Sequence, residues 1–256
     1  MEKQIIPLAM PGAMLHVSPD CLQISFDTLH PSISTAIYGG GFRHVRQVLN
    51  QKLTHFWATE KEFPTGSVQG YLKQCAQKEG ADPLACSVLL TAAKVSLFSH
   101  QVFQSGDLVV EAITTGGVEK TACRASSSPL YREQEGQFFP LGTINMMVLI
   151  GGTLPPGIMA RALITLTEGK TAALQDLGIA DINNGLPATG TGTDGITLVT
   201  ESKGNPLTDA GPFSELGSFL GQAAYSSVKE CLEKYDHPWN AFEALKTPKA
   251  VKLVKK

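Results

Sequence analysis

One stretch of this 256-residue chain concentrates groups that can do chemistry: Ala188-Thr189-Gly190-Thr191-Gly192-Thr193-Asp194. Hydroxyl and glycine alternate, the run stops at a single carboxylate, and an alternating apolar strand, Gly195-Ile196-Thr197-Leu198-Val199, follows at once. Glycine lets the backbone turn freely and lets a ligand approach it closely. Threonine supplies short hydroxyls, and Asp194 is the one side chain of the run that carries charge or accepts a proton at neutral pH. Hydroxyls, glycines and an acid leading into a rigid strand suit a binding or catalytic loop. A plain glycine-rich turn is the competing reading.

Two further sets of polar residues interrupt apolar patterns. Met159, Leu163, Leu166, Lys170, Ala173 and Leu177 recur at spacings of four and three, one stripe of a helix expected over 156–177. Lys170 stands inside that stripe, where it either slides its ammonium past a core edge or reaches a cleft at the end of a sheet. Arg161, Thr165 and Glu168 form a separate polar stripe. Glu168 is two residues from Lys170, so the two point to different sides and are poorly placed to pair. Thr143 and Asn145 open a near-continuous apolar strand through Ile150 and, being two apart, share a side. They either cap the strand or face a site.

These residues need elements to position them. Leu15 and Val17, then Leu22, Ile24 and Phe26, alternate around Pro19-Asp20 and predict a hairpin. Gly39-Gly40-Gly41 opens what reads as a helix through Phe42, Val45, Val48, Leu49 and Leu53. A second helix is expected over 67–78, strands over 87–91, 97–103 and 108–114, and a loop over 126–140. Gly151-Gly152 end the apolar strand, Pro155-Pro156 start the helix over 156–177 and Gly178 stops it. A last helix over 214–235 lines Leu216, Leu220, Ala223, Ser227, Cys231 and Tyr235 along one face. Strands alternating with helices after an antiparallel-looking start predict an α/β fold, a mixed sheet flanked by helices in a layered arrangement.

Composition fits a globular protein. Hydrophobic residues make up 43% and charged residues 17% of the chain, enough for a sizeable core and too apolar for disorder. A net charge of −2, with no basic block interleaved with aromatics, argues against nucleic acid. We read one domain over 1–256 with a basic tail (Lys246, Lys249, Lys252, Lys255, Lys256) that is either a solvated end or a membrane-surface or polyanion contact. Cys21, Cys75, Cys86, Cys123 and Cys231 are scattered, and no Cys/His spacing suits zinc, so no bound metal is expected. No signal-peptide pattern or membrane-length apolar run is evident, which predicts a cytoplasmic protein without membrane insertion. Ser226-Ser227-Val228-Lys229 matches Ser-x-x-Lys without a companion motif, and His44, His55 and His100 are isolated.

Taken in order, Gly142-Thr143-Ile144-Asn145, then the run from Arg161 to Gly178 with Glu168-Gly169-Lys170, then Ala188 to Asp194, resembles the adenosylcobinamide amidohydrolase family. Gly39-Gly40-Gly41-Phe42-Arg43, Leu90-Thr91-Ala92-Ala93, Glu215-Leu216-Gly217 and Gly221-Gln222-Ala223 add to the likeness, which runs from about residue 30 to 235. Thr114-Thr115-Gly116-Gly117-Val118-Glu119-Lys120 departs from the family pattern, since Lys120 stands where an amide is usual.

The resemblance implies corrinoid salvage: cleavage of the amide that joins aminopropanol to the corrin ring, giving adenosylcobyric acid. Cobalt would arrive with the substrate, and no protein-bound cofactor is implied. Amide hydrolysis needs an activated nucleophile, a stabilised oxyanion and a proton for the leaving amine. Asp194, Lys170 and Glu168 are the catalytic candidates, with Asp194 activating water and Lys170 serving the oxyanion or the amine. Thr143, Asn145, Thr189, Gly190, Thr191, Gly192, Thr193 and Gly117 are the substrate-binding candidates. Two alternatives stand beside this reading. One is a threonine-nucleophile amidohydrolase cleaved before Thr143, whose new amine would act as base; the other is a corrinoid-binding protein without hydrolysis. Assembly as a homo-oligomer is compatible with either.

Overall fold

The structure is a computed structural model that describes residues 4–129, 142–204 and 206–235. Its strands are β1 (Gln4–Pro7), β2 (Ala13–Val17), β3 (Cys21–Ser34), β4 (Gly41–Lys52), β5 (Cys86–Thr91), β6 (Ser99–Ser105), β7 (Leu108–Gly116), β8 (Ala122–Cys123), β9 (Ile144–Ile150), β10 (Gly190–Thr191) and β11 (Gly195–Thr200). The helices are α1 (Val68–Lys78), α2 (Pro156–Asp176) and α3 (Glu215–Glu233). Among the described residues nine strands form one mixed, curled sheet ordered β1-β2-β3-β11-β9-β7-β6, with β4 on the other edge of β3 and β5 beyond it. The pairs β11/β9 and β4/β5 are parallel and the other ladders of this sheet antiparallel. The α/β expectation and the antiparallel N-terminal hairpin of β2 and β3 are both observed.

Strand β9 is the axis of the fold, and all seven of its residues are buried. Side chains alternate across a strand, so Met146, Val148 and Ile150 enter a core with Leu166 and Ala173 of α2 and Leu220 and Ala223 of α3. Met147 and Leu149 enter a second core on the opposite face, with Leu15, Ile24 and Val48. Truncating any of these β9 side chains to alanine would cost about 2–5 kcal/mol, the range for buried large-to-small changes. Helices α2 and α3 pack so closely that a Cβ at Gly169 would collide with the Gly221 carbonyl. Their starts follow local chemistry: Pro156 supplies a preset φ for α2, while the Ser214 hydroxyl accepts the Gly217 N–H at 3.0 Å to cap α3. Ser67 caps α1 in the same way, through Gly70.

One element differs from the sequence reading. The segment after Gly39-Gly40-Gly41 is strand β4, not a helix. It lies between β3 and β5, and its buried run Val48-Leu49-Asn50-Gln51 meets core on both faces. A central strand buried on both sides loses its polar alternation. Its apolar residues then fall by chance at helical spacing. Residues 130–140 of the expected loop and the basic tail from Lys246 lie outside the described residues.

Candidate active site

The polar residues gather where the amino ends of β9 and β11 meet the carboxyl ends of β3, β5 and β7. Parallel pairing sets Gly195 opposite Asn145, so the Thr143-Asn145 entry and the glycine-threonine loop emerge side by side. Antiparallel pairing brings Thr115, near the end of β7, opposite Asn145 as well.

Asp194 is the hub. Its Oδ1 accepts the Ile144 N–H at 3.0 Å and the Thr191 hydroxyl at 2.6 Å. Its Oδ2 accepts the Thr191 N–H at 3.1 Å and the ammonium of Lys170. Four donors match the lone-pair capacity of an ionised carboxylate. Two come from its own loop, one from the start of β9 and one from the middle of α2. Lys170 is buried, so the apolar stripe of α2 delivers its ammonium to the site rather than to solvent. Gly190 makes this approach possible: a Cβ there would strike both Asp194 Oδ2 and Lys170 Nζ.

Thr143 and Asn145 form the second half of the cluster. The Thr143 hydroxyl donates to the Thr193 carbonyl at 2.6 Å, with Asn145 Oδ1 at 3.3 Å. Both hydrogens of the Asn145 amide are taken, by Asn50 Oδ1 and the Leu90 carbonyl, each at 2.9 Å. Asn50 in turn donates to the Thr115 hydroxyl at 2.8 Å. The Thr193 hydroxyl donates to the Gly142 carbonyl at 3.2 Å, tying the loop to the residue before Thr143.

A cavity opens onto this cluster. Thr143, Asn145, Thr193, Asp194 and Gly195 line its polar end, and Leu53, Phe56, Trp57, Phe63, Val68 and Leu89 are among its apolar walls. Trp57 packs at a tilt against Phe63 with ring centroids 4.5 Å apart and meets Tyr71 edge-on at 5.2 Å, an aromatic cluster on that wall. Lys170 touches Asp194 from the α2 side and does not line the cavity.

The other expected site residues have different places. Thr189 accepts the Ala125 N–H at 2.9 Å through its hydroxyl, so it pins the segment after β8. Gly192 is exposed at the loop tip. Gly117 donates its N–H to the Thr143 carbonyl at 3.0 Å, a contact that fixes the approach to β9. Glu168 is exposed on α2 and is not brought to the cluster. The helix turn carries it away from Lys170, as their spacing required. Lys120 is exposed as well.

Sequence reasoning missed Asn50, Thr115 and the aromatic wall. It also missed Asp181, a fully buried carboxylate that accepts the Ser127 hydroxyl and the N–H groups of Arg124 and Asn183. Burial alone would raise its pKa, but these donors together hold the carboxyl below the ordinary value. Asp181 thereby clamps the segment that Thr189 also holds. The thiols are poor nucleophile candidates: burial pushes Cys86 up to about 11 and also raises Cys75, Cys123 and Cys231. Among the described residues no three His, Cys, Asp or Glu side chains converge as a metal site requires. Nor, among them, is any helix long and apolar enough to cross a membrane.

The family model for adenosylcobinamide amidohydrolases matches residues 9–238, an interval that contains every member of the cluster. The chain belongs to the adenosylcobinamide amidohydrolase family. A relative from Methanosarcina mazei bearing the name adenosylcobinamide amidohydrolase is 26% identical over 227 residues, covering 85% of this chain and 96% of that one. An uncharacterized protein of Methanocaldococcus jannaschii is 30% identical over 210 residues, covering 77% and 80%. Among solved structures, a Pyrococcus horikoshii protein aligns with a TM-score of 0.44 at 10% identity, covering 90% of this chain and 83% of that one. A Burkholderia β-aminopeptidase aligns with a TM-score of 0.42 at 12% identity, covering 87% and 83%. Within the adenosylcobinamide amidohydrolase family match, the three motif stretches read from the sequence are the ones that converge on Asp194.

Proposed function

We propose that this protein hydrolyses the amide between aminopropanol and the corrin ring of adenosylcobinamide, giving adenosylcobyric acid and free aminopropanol in cytoplasmic corrinoid salvage. The observation that carries the reading is the convergence of three separate stretches on one carboxylate. Ile144, Lys170 and Thr191 all donate to Asp194, and that carboxylate borders a cavity with an apolar interior. The family and the name of the Methanosarcina mazei relative support the same substrate.

In this mechanism Asp194 is both base and acid. The Thr191 hydroxyl rotates off Oδ1, and the freed lone pair takes a proton from water as the water oxygen adds to the scissile carbonyl carbon. The C–N bond then breaks, its electron pair staying with nitrogen, and Asp194 returns the proton to the departing amine. The corrin side keeps the carboxyl group. Lys170 acts through Asp194: its ammonium donates to Oδ2 and holds the carboxylate aimed, so it is a positioning residue. No protein-bound cofactor is needed, and cobalt belongs to the substrate.

The purified chain, incubated with adenosylcobinamide without ATP, should release adenosylcobyric acid and aminopropanol, identified by mass spectrometry. Tight binding of several corrinoids with no turnover would instead make it a corrinoid-binding protein.

A further inference from the structure

The cavity beside the cluster has a volume of about 130 Å3. That is close to the ~150 Å3 of an engineered apolar cavity that takes up benzene, so it accommodates a group of about six non-hydrogen atoms. Drug-sized ligands need ~300–1,000 Å3, and a corrin macrocycle needs more. The scissile carbonyl must lie at the polar end, near Asp194 and Thr143. Two pieces of substrate flank that carbonyl, and only one of them is small.

We propose that the cavity bounded by Leu53, Trp57, Phe63 and Val68 receives the amine half of the scissile amide, so that the enzyme selects substrates by the size of the leaving amine. The inference rests on the hydrolase reading above. It follows from where the acid stands: Asp194 borders the cavity, so an amine seated inside departs beside the group that protonates it. The ring stays outside, facing solvent. The walls also act on the chemistry, because apolar side chains around the leaving group exclude water other than the one being activated. Val68 opens α1 and is 2% exposed, and Phe63 is 5% exposed beneath Trp57.

The test uses the full chain and a series of adenosylcobyric acid amides made with methylamine, ethanolamine, aminopropanol and naphthylmethylamine. The wild type should hydrolyse the first three with kcat/KM within about tenfold of one another and the naphthylmethyl amide at least thirtyfold more slowly. Val68→Phe, which fills the cavity, should slow the aminopropanol amide at least tenfold while leaving the methylamide within threefold. Should that variant fail to fold, the wild-type size series decides by itself. Turnover indifferent to amine size, or equal loss on all amides in folded Val68→Phe, would overturn this inference and leave the hydrolase reading standing. Absence of turnover on every amide, aminopropanol included, would overturn both.

Discussion

Lys170 and Asp194 lie 24 positions apart and pair end to end, the ammonium on Oδ2, with 8% and 14% of their side chains exposed. At such burial each charge depends on partners inside the protein. Removing one partner of a buried pair leaves the other uncompensated, which is more damaging than removing both.

Lys170→Met should therefore lower both stability and turnover. Asp194 retains three other donors, so the loss is about 2 kcal/mol, the scale of one hydrogen bond to a charged group. Urea denaturation would measure it. The double variant Lys170→Met/Asp194→Asn should recover part of that loss, and simple additivity of the two single changes would show that the pair is not coupled.

Asp194→Asn keeps the shape of the side chain and removes its basicity. Turnover should fall about a hundredfold, the scale of losing a general base, with KM little changed. Steady-state kinetics on adenosylcobinamide provides the check. A large rise in KM with kcat preserved would make Asp194 a binding residue.

Glu168→Ala should leave kcat and KM within about twofold, because the side chain is exposed on α2 and away from the cavity. A tenfold drop in kcat would return Glu168 to the catalytic set.

Asp181 gives a pH dependence with a definite sign. Its folded pKa lies below its ordinary value of 3.8, so the stability it contributes is fully present above that value. It is lost as pH falls through the lower folded pKa. Asp181→Asn should be less stable than wild type by a constant amount well above pH 3.8, and the gap should narrow as pH falls below 3.8 and through the lower folded pKa. Thermal melts across that range test it; a gap that persists at low pH would assign the loss to packing rather than ionisation.

Much of this was legible in the chain. Helix α2 could be placed because Pro156 and Gly178 bracket a clear apolar stripe, and Lys170 stood out within it. Asp194 stood out as the one acid ending a hydroxyl-glycine run. What escaped has a common physical cause. Asn50 and Thr115 hold Asn145 across 95 positions and one ladder of the sheet, and no local pattern encodes such a contact. Asn50 was further hidden because β4, buried on both faces, has apolar residues at helical spacing. The aromatic wall follows β4 in an irregular segment, where periodicity carries no signal at all.

Both groups next to the Thr143 hydroxyl, the Thr193 carbonyl and Asn145 Oδ1, are acceptors. Asn145 cannot reverse that role, because its own hydrogens are committed to Asn50 and Leu90. The hydroxyl proton is thus kept by the protein, and what Thr143 would offer a bound group is a lone pair. It can receive a hydrogen but has none to give. Under the proposed hydrolase function, an amide would bring such a hydrogen on its nitrogen and an ester would not, so this hydroxyl would favour the amide linkage before any bond is broken.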